Sequence, residues 1–196
     1  THIGHSEKVL FMRVFITALI LIFSLQSWTK ADDISDFEIE GMSIGDSALE
    51  HFTEEKIKKA HTYYYNDDEF VSTEISIKSN LYRSIHIHYR PNDGKYILHG
   101  ISATIFYANN IKECYKKKNE IVEDISEVFS NIKPRFTKTK HQVDKSKKST
   151  LDNAVFIFEN GDVAIISCYD WSKEMKFADH LRISLRTKKF TDFINK

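Results

Sequence analysis

Two prolines, six glycines and two cysteines are all that 196 residues contain, and each scarcity excludes something. So few prolines and glycines rule out a collagen-like repeat and a Pro- or Gly-rich linker dividing the chain. No glycine loop is present that would cradle a phosphate, and neither G-x-S-x-G nor H-E-x-x-H occurs. Cys114 and Cys168 lack C-x-x-C spacing, and two thiols alone do not complete a zinc site. Net charge is missing too: 28 Lys and Arg balance 28 Asp and Glu, which argues against a general nucleic-acid binder.

Long apolar runs are equally scarce, and the one exception reads as an address. Met12-Arg13 gives a start and a positive charge, and Val14 to Leu25 follows without a charge, with only Thr17 and Ser24 polar. Gln26-Ser27-Trp28-Thr29-Lys30-Ala31 then places Thr29 and Ala31 at −3 and −1 of a cleavage site. This is the layout of a secretory signal peptide over residues 12–31, and it predicts a periplasmic or secreted protein. A helix over the twelve uncharged residues Val14–Leu25 covers about 18 Å, against about 30 Å of hydrocarbon core, and no other run approaches that length, so no membrane span is expected in the mature chain. The expected organisation is residues 1–31 as upstream residues and cleaved leader, and 32–196 as one α+β domain. Removing the leader takes away Lys8, Arg13, Lys30 and Glu7, which leaves 25 basic against 27 acidic groups. The residual charge is uneven: nine acids and no Lys or Arg between Ala31 and Glu55, then seven basic residues and one acid between Lys133 and Lys148.

The remaining sequence divides into helix-then-strand blocks. Residues 37–42 read as a short strand, and 47–60 as one kinked helix or two short ones. Phe70–Ile77, Tyr82–Arg90 and Tyr96–Tyr107 read as strands. A three-residue loop at Pro91-Asn92-Asp93-Gly94 would keep Ile85, Ile87, Tyr89, Ile97, Ile101 and Ala103 on one face, away from His86 and His88, with His99 turned toward the core. Ile111, Cys114, Ile121, Ile125, Val128 and Ile132 follow helical spacing, with Lys118 the one polar residue on the seam. A Lys-rich connection leads to a second hairpin, Val155–Phe158 and Val163–Tyr169, around Asn160-Gly161. Leu181–Arg186 is a last strand, and Phe190–Ile194 a closing helix. The fold expected is α+β, an antiparallel sheet with helices packed on one face, and it accommodates two successive α-β-β-β units. In an oxidising compartment the even cysteine pair reads as a Cys114–Cys168 disulfide, since Cys114 lies on the helix stripe and Cys168 shares the side of Ile166. Val155 and Ile157 are expected on that side as well.

The stretch Asp36-Phe37-Glu38-Ile39-Glu40-Gly41-Met42-Ser43-Ile44-Gly45-Asp46-Ser47 resembles the mature N-terminus of a set of uncharacterised exported proteins from Pelagibacter-type marine bacteria. Tyr107-Ala108-Asn109-Asn110-Ile111-Lys112-Glu113-Cys114-Tyr115-Lys116 is similar to theirs too, and 22 Lys against 6 Arg fits such AT-rich genomes. That resemblance implies export and brings no activity with it. Over about ten residues, the Gly41-Met42-Ser43 step into a helix also resembles the outer-membrane assembly lipoprotein BamE and the β-lactamase-inhibitor-like fold. This chain departs from BamE in having no lipobox cysteine.

Chemistry-bearing candidates are few. His86-x-His88 points two imidazoles the same way along a strand, as metal ligands require, but a third ligand is missing, so no metal and no cofactor are expected. Lys138, Lys140, Lys145, Lys147 and Lys148 form a basic run able to meet an anionic envelope ligand. Tyrosines 63–65, 82, 89, 107 and 169 and Trp171 offer contact area at low entropy cost. The leading expectation is therefore an exported non-enzymatic binding or interaction module, meeting an unknown protein or anionic ligand and no nucleic acid. The alternatives are a small periplasmic hydrolase using His86 or His88 as general base, and a secreted enzyme inhibitor.

Overall fold

A computed structural model describes residues 33–65, 68–79, 81–82, 84–108 and 110–196; the leader expected at 12–31 lies outside the described residues. Among the described residues there are three α-helices, α1 (Glu54–Lys59), α2 (Ile111–Val128) and α3 (Lys188–Ile194). Eight strands, β1 (His61–Tyr64), β2 (Val71–Ser76), β3 (Ser84–Tyr89), β4 (Gly100–Phe106), β5 (Arg135–Lys140), β6 (Thr150–Ile157), β7 (Val163–Asp170) and β8 (His180–Arg186), form one sheet. Its order is β1-β2-β3-β4-β8-β7-β6-β5, and every neighbouring pair is antiparallel. Two four-strand meanders, β1–β4 and β5–β8, thus join through β4 and β8. Each helix was expected to lead three strands; β1 and β5 add one edge strand to each block.

Register assigns the two faces. Ile87 stands opposite Ile101, Ile101 opposite Leu185, and Leu185 opposite Ala164. Since successive side chains alternate, Ile85, Ala103, Leu181, Ile183, Ile166 and Cys168 share that apolar face. Helix α2 covers it with Cys114, Ile121, Val122 and Ile125, all buried, each worth about 1.5–3 kcal/mol when fully removed from water if the size of a Val or Ile. The Cys114–Cys168 disulfide ties helix to sheet with the Cα atoms 6.0 Å apart. Lys118, the polar residue on the α2 stripe, is 4% exposed and forms an ion pair with Asp152 on β6. A buried ammonium is tolerated only with such a partner. The helix predicted around 47–60 resolves into a short turn, Ala48–Glu50, and α1, whose N-terminus Thr53 caps by accepting from the Lys56 amide at 3.2 Å.

Four expectations need correction. First, the helices do not all pack on one face. Phe190 of α3 lies against His88 at 4.5 Å between ring centroids, on the face opposite α2, and with Phe70 and Phe193 builds a second, smaller apolar cluster. Gly100 makes room for it: a Cβ there would lie 2.9 Å from Phe190 Cδ1 and 3.0 Å from His88 Cδ2. Second, β3 and β4 are joined by ten residues. Ile85 pairs with Ala103, and Ile87 with Ile101, a shift of two from the three-residue loop that preserves the faces. The segment between is held elsewhere, with the Leu98 amide donating to Asp46 O and the Gly45 amide to Leu98 O. Third, the Asn160-Gly161 turn spans three residues, with the Phe158 amide bonded to Asp162 O and Gly161 at φ +86°. Cys168 therefore stands opposite Asp152, and Ile166 opposite Ala154, so Val155 and Ile157 face the other side. Fourth, residues 37–42 make only a bridge between Ile39 and Met42.

Candidate functional site

The face opposite α2 is polar at its centre. Register aligns Ser72, His88, Gly100 and Arg186 in one row, and Glu74, His86, Ser102 and Ser184 in the next. Arg182 lies two residues from Ser184 along β8, so its side chain points the same way. Helix α3 roofs part of this surface, and between roof and sheet lies a recess of about 180 Å³ lined by Tyr65, Ser72, His86, His88, Ser102, Arg182, Arg186, Phe190 and Ile194. It has an apolar end at Phe190 and Ile194, a cationic strand in β8, and a floor of buried serine hydroxyls. Ser102 and Ser184 hold each other at 2.9 Å.

Its electrostatics are one-sided. The Nε atoms of Arg182 and Arg186 are buried without a hydrogen-bond partner among the described residues. None of the ion pairs present among those residues involves either arginine. Arg182 lies over the Tyr169 ring at 5.2 Å. Burial lowers the Arg186 pKa from its ordinary value, and the nearby charge of Arg182 lowers it further. The same two causes act on the histidines. Burial first, then the Arg186 guanidinium, hold His88 well below 6.5, and burial followed by Arg182 lowers His86. At neutral pH both imidazoles are therefore uncharged, able to donate through one nitrogen and accept through the other. The His88 Nδ1 and the Tyr65 hydroxyl are 3.3 Å apart. Glu74, the carboxylate beside His86 in the register, accepts the Ser84 hydroxyl at 2.7 Å and lines a separate open depression with Lys59 and His61.

Beside Arg182 the same face carries an aromatic group. Tyr169 stacks on His180 at 4.3 Å, and Trp171 meets His141 at 4.4 Å and Phe177 at 4.9 Å. Burial pulls His180 down to about 4. Of the other aromatics named from sequence, Tyr82 and Tyr89 are buried, whereas Tyr63 and Tyr64 stand exposed on the edge strand β1.

The candidates taken from sequence separate. His86 and His88 both enter the recess. His99, expected in the main core, packs on Phe70 at 5.1 Å with its Nδ1 3.5 Å from Thr187 Oγ1. Among the described residues no group of three His, Cys, Asp or Glu is placed to hold a metal ion. The lysines lie far along the sheet. Lys138 and Lys140 belong to the fully exposed edge strand β5, where charge discourages pairing with another sheet. Lys138 reaches the Tyr115 hydroxyl at 3.4 Å and Asp152 at 3.8 Å, on the α2 side. Lys148 pairs with Glu174, and Lys145 and Lys147 are exposed. Arg182, Arg186, Ser102, Ser184 and Phe190 carry no motif. For Arg182, Ser184 and Arg186 the one signal in the sequence is the polar alternation at 180, 182, 184 and 186.

The protein is thus an α+β protein built on an eight-stranded antiparallel sheet, with a disulfide under one helix and a cationic recess under another. Set against known proteins, the chain matches no family model, no curated protein and no solved structure. Among the described residues no helix is long and apolar enough to cross a membrane.

Proposed function

We propose that this chain is an exported, non-enzymatic binding module whose ligand enters the recess between the sheet and α3. The observation that carries this reading is the pair of arginines, Arg182 and Arg186, buried at Nε without a partner among the described residues. Unpaired buried donors are costly, and a bound ligand would satisfy them. Export is supported by the residue pattern of 12–31 and by the disulfide, a bond that persists in oxidising compartments. The two helix-plus-four-strand blocks also fit an internal duplication. A hydrolase is less well supported. His88 has its Nδ1 near a tyrosine hydroxyl rather than an orienting carboxylate, and a depressed pKa makes it a weak base at neutral pH.

Native mass spectrometry of protein purified from the periplasm tests the reading. A retained small molecule is expected on the wild type and absent from Ile194→Trp, which crowds the recess from α3. A ligand retained equally by a folded Ile194→Trp protein would overturn it.

A further inference from the structure

The lining of the recess says what class of molecule it takes. Among the described residues its charges are all of one sign: two guanidiniums on β8, and no carboxylate in the lining. The uncharged partners suit the same ligand, because serine hydroxyls and a neutral imidazole also donate hydrogen bonds to an oxyanion. A cationic ligand would meet two like charges, and a neutral apolar one would leave the buried Nε atoms of Arg182 and Arg186 unsatisfied.

Resting on the recess as the binding site, we infer that its ligand is a small oxyanion, bearing a phosphate, sulfate or carboxylate group clamped between Arg182 and Arg186. The volume, about 180 Å³, lies below the roughly 300–1,000 Å³ of pockets for drug-sized ligands, so the anionic group and a short body fill it. Phe190 and Ile194 face that body. Ser102 and Ser184, which now bond each other at 2.9 Å, can turn one hydroxyl to donate to the anion while the other donates to that serine's oxygen. Arg186 forms the inner wall, in the row of His88 and Gly100. Arg182, held over Tyr169 at 5.2 Å, forms the outer one. Lys145 and Lys147 lie outside the recess and contribute no contact.

Isothermal titration at pH 7 with inorganic phosphate, sulfate and succinate, each alone, tests the inference and separates the three chemistries. One of them is expected to bind with a stoichiometry of one. Arg186→Gln is expected to weaken it about 10- to 100-fold, the usual worth of a charge-assisted hydrogen bond. Arg182→Gln should do the same, while Lys145→Gln with Lys147→Gln leaves it within about twofold. If Arg186→Gln fails to fold, Arg182→Gln and the Arg186→Lys variant carry the test. Saturable binding by none of the three anions, or binding unaffected in the folded arginine variants, overturns the inference. The two readings fall separately: a native-mass ligand kept by the protein carrying both Arg182→Gln and Arg186→Gln but lost from Ile194→Trp leaves the recess as the site and removes only the oxyanion.

Discussion

Replacing Gly100 by alanine should loosen α3 and open the recess at once, through a single methyl group. In most strand positions Gly→Ala helps, by about 0.4–1 kcal/mol, because it narrows the unfolded ensemble. Here the added carbon would lie 2.9 and 3.0 Å from two atoms of the Phe190 ring and 3.0 Å from the His88 ring. Phe190 is 1% exposed and Phe70 is fully buried beside it, so the ring has no free space to enter. Overpacking of this kind costs about 1–3 kcal/mol, which exceeds the entropic gain. For a chain of this size the net loss corresponds to roughly 2–8 °C in Tm. Amide exchange over Phe190–Ile194 should accelerate more than exchange in α2, because α3 is held chiefly by this small cluster. Phe190→Leu added to Gly100→Ala should recover part of the loss, giving a coupling energy of about 0.5–2 kcal/mol in a double-mutant cycle. An unchanged or raised Tm, with α3 exchange as in the wild type, would refute the packing argument.

Further outcomes follow from other parts of the molecule. Reducing the disulfide, or Cys114→Ser, should cost about 4 kcal/mol, from the unfolded-state entropy of a loop closed across 54 residues; urea melts give the loss, and two thiols alkylated without prior reduction would mean there is no bridge. Asp152→Ala leaves the ammonium of Lys118 buried and should cost about 3–5 kcal/mol, whereas Lys118→Met with Asp152→Ala should restore most of it; equal melting of the single and double variants would contradict this. Folded His180 is pulled from 6.5 down to about 4, so the unfolded chain binds more protons between those values. Stability should therefore be highest above pH 6.5 and fall as pH drops toward 4, by up to about 3 kcal/mol from this residue. His86 and His88 act in the same direction. His180→Phe should flatten the profile, and a profile of unchanged slope would assign the dependence elsewhere.

Much of the framework was legible because it is written in apolar periodicity. The stripe from Ile111 to Val128, the alternation of Leu181, Ile183 and Leu185, and the position of Cys114 on its helix all lead to the observed core. Strands β1 and β5 were missed because they are edges. Arg-Phe-Thr-Lys-Thr-Lys is exposed along its whole length, so no buried face marks it. The faces of Val155 and Ile157 were reversed by a turn of three residues where Asn-Gly suggests two, and one residue of slip reverses a strand. Helix α3 was placed on the wrong face because Phe190 and Phe193 announce only that something apolar is met, not which side of the sheet supplies it. The recess was half legible. His86 and His88 were found by their spacing, but the arginines that give the site its sign sit across a long-range pairing, β3 to β4 to β8, that no local pattern reveals.

Two surfaces compete for the ligand, the recess under α3 and the basic run at Lys138, Lys140, Lys145, Lys147 and Lys148, and one measurement separates them. Amide shifts of isotope-labelled protein, followed during titration with the anion that binds best, should move at Ser102, Ser184, Arg186 and Phe190 and remain still at Lys145 and Lys147. Shifts confined to residues 138–148, with the recess unmoved, would contradict the account.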